Sequence, residues 1–341
     1  MKDESERVSN RLPMDKSREH LMVKVARMTY QQELNQSEIA AETGLNRWQV
    51  SRLLQEARDL GIVRIEIIPR SPRRPDLETA LQQTFNLNDS VVVSSDGEQA
   101  QSLDTVAQAA GQYIASIKSN GATVGVSWGR TMGAVAHWLP LQWSDGGEVV
   151  QINGTVAPIS GVTYHNDVAG IFARKAGARL VPLPVPAIVG QRVTREVLER
   201  DRIVADVLTK ARSAQILIFS CGSLSEESVL VRSGNILKDE LATLLSKGAV
   251  GDVLGRFIDV NGEIVDAELD ARTIGLSLSD LKTSGKAIGI AAGREKFNVV
   301  LGVLRAGLVN VLVTDEATAT FALEHAHECR PFSRLSAQYR P

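Results

Sequence analysis

The sequence predicts an α/β protein in two parts: an N-terminal winged helix-turn-helix and a larger domain built on a mostly parallel sheet. Three observations predict it. Residues 35–63, NQSEIAAETGLNRWQVSRLLQEARDLGIV, read as two short helices around a tight glycine turn. Residues 69–75, PRSPRRP, place three prolines and three arginines in seven positions. From about residue 90, apolar strands alternate with amphipathic helices at the spacing of βαβ units. A chain of 341 residues is long enough for a small domain plus a large core, and 43% hydrophobic with 23% charged residues is ordinary for a globular protein. No apolar run approaches the ~20 residues of a membrane span, and residues 1–10 are too polar and acidic for a signal peptide, so the expectation is a cytoplasmic protein. Cys221 and Cys329 fit no metal-ligand spacing and suit a reducing compartment.

After an N-terminal arm of residues 1–14, residues 16–33 form an amphipathic helix through Leu21, Val25, Met28 and Tyr30. The next helix, residues 35–43, has Asn35 as its cap and Glu38 to complete a capping box, with Ile39 and Ala40 inward. Gly44 makes the turn, where a positive φ is needed. Asn46 caps a third helix that buries Val50, Leu53, Leu54 and Ala57, while Arg47, Trp48, Gln49, Ser51 and Arg52 fall on or near its other face. A recognition helix needs such side chains in its first turns, where Arg pairs with guanine and Gln with adenine in the major groove. Ser37 and Asn46 complete the candidate DNA-facing set. Trp48 either stacks at the DNA surface or seals the helix pair, with the balance toward sealing. Residues 62–68, IVRIEII, alternate like a wing strand. Residues 1–75 carry 14 Lys and Arg against 11 Asp and Glu, and the remainder 24 against 29, so the excess positive charge sits where a phosphate backbone would bind.

Residues 69–75 are the linker, because prolines so spaced neither continue a helix nor enter a sheet interior. Its arginines either touch DNA or belong to a solvated hinge, and the hinge is the safer reading. Residues 76–86 resume a short helix. Strands are expected at residues 90–94, 122–128, 148–153, 179–183, 215–221, 287–291 and 310–314, with helices at 101–118, 130–139, 165–176, 194–213, 295–306 and 316–328. Residues 248–266 break the alternation, starting as a short helix and becoming a hairpin with Asn261-Gly262 at its turn.

An open α/β sheet binds ligands beyond the carboxyl ends of its strands, so the loops there carry the candidate site. Gly129, Arg130, Thr131 and Met132 follow the second strand and open a helix, which would present free amides, a guanidinium and a hydroxyl to an anion. An ordinary helix cap is the plain alternative, and neither a Walker loop nor a GxGxxG motif is present. Asn153 and Gly154 end the third strand and Gly222 and Ser223 the fifth; each pair either meets a small ligand or simply turns the chain. Asp252 has apolar neighbours that would bury it unless a polar partner, such as a ligand hydroxyl, is supplied. Lys296 starts a helix, a poor place for a cation unless an anion is there too. The plain alternatives are a structural aspartate and an exposed lysine. No metal or cofactor motif is present, and no GxSxG marks a nucleophile.

As a set, LNQSEIAAETGLNRWQVSRLLQEARDLGIVRIEI, VGVSWGRTM, YHNDVAGIFARKAGARL, GAVGDVLGRFIDVNGEIVD and AIGIAAGREKFNVVLGVLRAGLVNVLVTDEATA resemble the SorC family of sugar-responsive transcriptional regulators, with a DeoR-type sugar-binding effector domain. The resemblance spans about residues 16–328. It implies a winged helix-turn-helix at 15–68 and, at 76–330, a Rossmann-like effector and oligomerisation domain resembling sugar-phosphate isomerases, before a tail at 331–341. It further implies a homodimer or homotetramer on palindromic double-stranded operator DNA, controlling carbohydrate catabolism genes in response to a small sugar, polyol or sugar phosphate. The family's phosphate loop corresponds here to Gly129, Arg130, Thr131 and Met132, its pocket aspartate to Asp252 and its pocket lysine to Lys296; Asn153-Gly154 and Gly222-Ser223 match pocket edges. Several relatives carry two small hydroxyl residues where this chain has Arg130-Thr131, which leaves open whether the effector is phosphorylated. An alternative is a sugar-phosphate isomerase or deaminase, with Asp252 or Lys296 transferring a proton, but such an enzyme has no need of the N-terminal 75 residues.

Overall fold

Two capping boxes set the geometry of the N-terminal unit. Asn35 Oδ1 accepts from the Ser37 and Glu38 amides while Glu38 Oε2 accepts from the Asn35 amide at 2.8 Å, which starts helix α2 (Gln36–Thr43) after α1 (Lys16–Tyr30). Gly44, at φ 70°, ends α2, and Asn46 and Gln49 exchange the same pair of bonds, each 2.9 Å, at the start of α3 (Arg47–Asp59). Met22 and Val25 of α1, Ile39 of α2 and Val50, Leu53, Leu54 and Ala57 of α3 close one core. Arg18 clamps α1 to α3 through a two-pronged ion pair with Glu56, whose carboxyl this arginine holds below its ordinary range. The computed structural model describes residues 16–63, 73–94, 99–117, 119, 121–156 and 167–328. Ile62 and Val63 lean on this core; the rest of the expected wing, the arm, most of the linker and the tail lie outside the described residues. The chain divides into Met1–Arg70 and Ser71–Pro341.

In the second unit, α4 (Pro75–Phe85) leads to β1 (Asp89–Val93), α5 (Gln99–Ser116), β2 (Thr123–Val126), α6 (Arg130–Trp138), β3 (Glu148–Gln151), α7 (Val168–Ala176) and β4 (Arg179–Val181). Next come α8 (Arg192–Arg200), α9 (Arg202–Arg212), β5 (Ile216–Ser223), α10 (Val229–Arg232), α11 (Lys238–Ser246), β6 (Gly251–Val253), β7 (Arg256–Ile258), α12 (Ala267–Asp270) and α13 (Leu278–Thr283). The chain ends in β8 (Ala287–Ala291), a 3₁₀ turn Arg294–Lys296, α14 (Phe297–Arg305), β9 (Val311–Asp315) and α15 (Glu316–Glu324). The main sheet is parallel throughout, in the order β1-β9-β8-β5-β2-β3-β4. Strand alternation sorts the side chains. Val92, Val150, Leu217, Phe219, Ala291 and Leu312 meet α4, α9, α14 and α15 on one face, and Val91, Val124, Val126, Ile218, Ile290 and Val313 meet α5, α6 and α7 on the other. Each such Val, Leu, Ile or Phe side chain contributes about 1.5–3 kcal/mol on burial. A smaller cluster around Leu230, Leu241 and Phe257 joins α10, α11 and β7.

Three departures from the sequence reading have local causes. The helix expected at 194–213 is two helices, because Asp201 takes φ −59° and ψ 133° and its carboxylate caps α9 by accepting from the Ile203 amide at 2.9 Å. No helix opens the 248–266 stretch. Instead β6 and β7 form a hairpin off the end of β5, turning at Leu254-Gly255 with φ 57° and 83°. Asn261-Gly262 makes a second tight turn, closing an Ile258–Ile264 bridge. At the end of the expected linker, Arg73 bridges to Val93 and grips buried Glu78 with two bonds of 2.8 and 2.9 Å, and Arg74 pairs with Asp76 and Glu316. These two arginines are fastened to the sheet edge and to α4 and α15 rather than belonging to a free hinge.

Candidate functional site

The chain leaves β2 toward β3 and β4 on one side of the sheet and leaves β5 toward β8 and β9 on the other. Adjacent β2 and β5 therefore flank a topological switch point, where the diverging connections open a crevice. A recess of about 550 Å³, counted to its open mouth, lies there. Its walls are the loop after β2 from Ser127 to Thr131, Asn153 after β3, Ser220 to Ser223 of β5, Asp252 and Gly255 of the hairpin, Ser228 to Leu230 around α10, and Lys296 after β8.

Donors gather on one side. Gly129, at φ 135°, begins α6 without a side-chain cap, so the first amides of that helix have no acceptor within it and add the positive end of its dipole. Thr131 and Lys296 are buried, and Lys296 Nζ donates to Thr131 Oγ1 at 2.7 Å across 165 residues of sequence. Burial lowers the Lys296 pKa, and the Arg130 charge adds to that. Arg130 itself is exposed at the mouth. Trp128 Nε1 donates to the Gly154 carbonyl at 2.6 Å, which ties the β2 and β3 loops together.

Acceptors share the recess with them. Asp252 pairs with Gly222 across β5 and β6, and its Oδ2 accepts from the Gly255 amide at 2.9 Å. Burial pushes its carboxyl up to about 6, against the pull of the Gly255 amide and Lys296. Gly222 is glycine because a Cβ there would fall on the Asp252 carboxylate. Asn153 is 1% exposed, and its Oδ1 has no partner among the described residues. A buried orphan acceptor facing a cavity is an invitation to a ligand hydroxyl. Among the described residues, no His, Cys, Asp and Glu cluster could hold a metal.

Most of the residues singled out in the sequence thus come together, with two departures. Met132 sends its side chain into the core under α6 and is not among the residues that line the recess. Gly154 does not line the recess; it carries the carbonyl that anchors Trp128 and sits where a Cβ would strike the Pro186 backbone. Ser127, Ser220 and Ser228 were not foreseen. The first two had a signal, a hydroxyl at the carboxyl end of an otherwise apolar strand; Ser228 had none.

On α3, Arg47, Trp48, Gln49, Ser51 and Arg52 are all exposed, as is Ser37 on α2. Trp48 does not seal the helix pair: it is 67% exposed, and the Arg52 guanidinium lies 5.3 Å from its ring centroid. Gln49 Oε1 is committed to the Asn46 amide and Asn46 Oδ1 to the Gln49 amide, which removes the bidentate grip of Gln49 on adenine. Arg47, Trp48, Ser51 and Arg52 remain as side chains free to reach a groove.

Comparison with known proteins agrees with both halves. Residues 72–324 match the family described as "Putative sugar-binding domain". The chain is 31% identical over 307 residues to the deoxyribonucleoside regulator of Bacillus subtilis, covering 90% of this chain and 98% of that one. It is 30% identical to the sorbitol operon regulator of Klebsiella pneumoniae, covering 89% and 98%. The crystal structure of the full-length sorbitol operon regulator SorC from K. pneumoniae superposes with a TM-score of 0.68 at 28% identity, covering 91% of this chain and all of the other. The chain belongs to the SorC family of sugar-responsive transcriptional regulators.

Proposed function

We propose that this DNA-binding regulator of carbohydrate genes releases or grips its operator according to a small polyhydroxylated effector, a sugar, polyol or sugar phosphate, held in the recess between β2 and β5. The observation that carries the reading is the division of the recess into two chemistries. An anionic or most polar end would sit against the α6 amides, Thr131, Lys296 and Arg130; hydroxyl groups would donate to Asp252 and to the orphan Asn153 Oδ1. Related regulators are named for deoxyribonucleoside, sorbitol and erythritol, all hydroxyl-rich compounds or built on one. Effector and operator are coupled only as far as the effector prefers one state of the protein.

Calorimetric titration of the full chain with ketoses, hexitols, pentitols and their phosphates, beside operator binding, tests this. Arg130→Ala with Thr131→Ala is expected to weaken a phosphorylated effector well beyond its free sugar, since charge-assisted bonds are about twice as strong as neutral ones. Equal loss for both would mean that the anionic end lies elsewhere. Turnover of the sugar by the wild type, lost in Asp252→Ala, would assign the site to an enzyme.

At the operator, α3 would enter the major groove with Arg47 and Arg52 toward bases and Trp48 held by Arg52. Arg47→Ala is expected to cost about 1–3 kcal/mol at one base pair and to relax preference there. Gln49→Ala is expected to leave base preference unchanged while loosening the helix start. Selection of sites from random duplexes reads both, and an unchanged consensus for Arg47→Ala would take α3 out of the groove.

A further inference from the structure

Successive helical residues turn by about 100°, so with Val50, Leu53, Leu54 and Ala57 inside, Trp48 and Arg52 fall opposite the core of the N-terminal unit, one turn apart. Arg47 and Ser51 fall to one flank. Trp48 is 67% exposed, and a tryptophan left in water forgoes the burial that makes its ring stabilising, so its place asks for a partner outside the domain. The Arg52 guanidinium lies 5.3 Å from the centre of that ring. Its nearest competitor is Glu56, one turn farther on, but Arg18 occupies both Glu56 oxygens at 3.0 and 2.7 Å. Arg52 is therefore held by its flat face, and among the described residues no acceptor takes its forked edge of N–H groups. The ridge ends at Asp59, which accepts from Gln55 at 2.9 Å, so its far end is the part that a phosphate-lined groove repels.

We infer that Trp48 and Arg52 act as one reading unit for two neighbouring base pairs: the indole packs on the C5-methyl of a thymine while Arg52, held against it, gives its fork to O6 and N7 of an adjacent guanine. The chemistry of the major groove selects these bases. Thymine alone shows an apolar group there, and guanine alone shows two acceptors side by side. Two side chains already in contact across one helical turn reach neighbouring pairs, since bases stack about 3.4 Å apart. The ring also sets the arginine before DNA arrives, which lowers the ordering cost of a long side chain and couples the two readings. This rests on the placement of α3 in the groove proposed above, and goes beyond it in naming the bases and the residue that chooses them.

Selection from random duplexes with the full chain is expected to return a site in which guanine stands beside thymine. On that site, replacing the thymine by deoxyuridine deletes only the methyl group. Wild-type binding is expected to weaken about fourfold, the worth of one buried methyl, and Trp48→Ala is expected to bind the two duplexes alike. Replacing the guanine by 7-deazaguanine removes one acceptor and is expected to cost the wild type about tenfold and Arg52→Ala nothing. In Trp48→Ala the 7-deazaguanine loss is expected to shrink, because the guanidinium is no longer held, and Trp48→Phe is expected to keep part of both effects. The base analogues are read on the wild type itself, so the outcome does not hang on how a variant folds. A wild type indifferent to the methyl group overturns the reading unit while leaving α3 in the groove. Trp48→Ala and Arg52→Ala effects that simply add overturn it too, as does a Trp48→Ala loss equal on every sequence, which would put the ring on the phosphate backbone. No enriched site at all overturns the unit together with the placement of α3.

Discussion

Asp252→Asn is expected to make the unliganded protein more stable at pH 7 and to weaken its grip on effector. In the folded chain burial raises the Asp252 carboxyl from 3.8 to about 6. A raised folded pKa means that the folded state holds the proton more tightly than the unfolded chain, so the stability tied to this group is full below about pH 4 and is lost as pH rises to about 6. At pH 7 the ionised carboxylate then costs about 1–3 kcal/mol, the upper figure for the whole shift and the lower after water in the recess screens it. Asparagine removes the charge, keeps the shape and still accepts from the Gly255 amide that Asp252 Oδ2 now holds. The same change turns the carboxylate's other oxygen into a donor facing a ligand hydroxyl. Effector affinity should fall on the order of tenfold, as a charge-assisted bond to the ligand hydroxyl gives way to a neutral one in which the hydroxyl accepts. Wild-type affinity should also climb between about pH 5 and 7 as the carboxylate ionises, whereas the variant's stays flat over that range. Denaturant unfolding at pH 4 and 7, with calorimetry across the range, measures all three. A variant less stable than wild type at pH 7 would show that Lys296 outweighs burial, and unchanged affinity would remove Asp252 from the site.

The main sheet was legible because its strands are buried on both faces and its helices carry 3.6-residue stripes, as in α14 with Val299, Val300, Val303 and Leu304 inside. The donor loop was legible for the same reason: it follows a clear strand and opens a clear helix. The hairpin was not, since β6 and β7 are three residues each and turn on Leu254, a residue with no preference for positive φ. Met132 shows the limit of motif reading. It is contiguous with Thr131, yet on a helix neighbouring side chains point about 100° apart, so one reaches the recess and the other the core. Gln49 has the right residue type for a base contact and a nearer use for its oxygen. Trp48 went the other way, exposed where an aromatic was expected to seal a seam. The bond from Lys296 to Thr131 and the pairing of Gly222 with Asp252 are products of topology alone, invisible until β5, β6 and β8 are laid side by side.

Gly222→Ala is expected to abolish most of the effector response while leaving the fold and the operator contact in place. The three atoms nearest a Cβ at Gly222 all belong to the Asp252 carboxylate, and the backbone there is not in the left-handed region, so alanine itself is unstrained. The contrast is Gly154, where a Cβ would meet the Pro186 carbonyl and carbon, groups that cannot rotate away. At Gly222 the way out is for Asp252 to swing off its bond to the Gly255 amide, giving up about 1.5–3 kcal/mol of charge-assisted bonding and misplacing the oxygen that faces the recess. Affinity for effector should drop tenfold or more, about the worth of one such bond. Hydrogen exchange should rise across residues 251–258 and nowhere in α1 to α3. The two changes act through one carboxylate, so they must not add: Gly222→Ala placed on Asp252→Ala should cost effector binding almost nothing further. Full additivity in that double-mutant cycle, or wild-type affinity in Gly222→Ala alone, would mean that the position of Asp252 over Gly222 has no part in recognition.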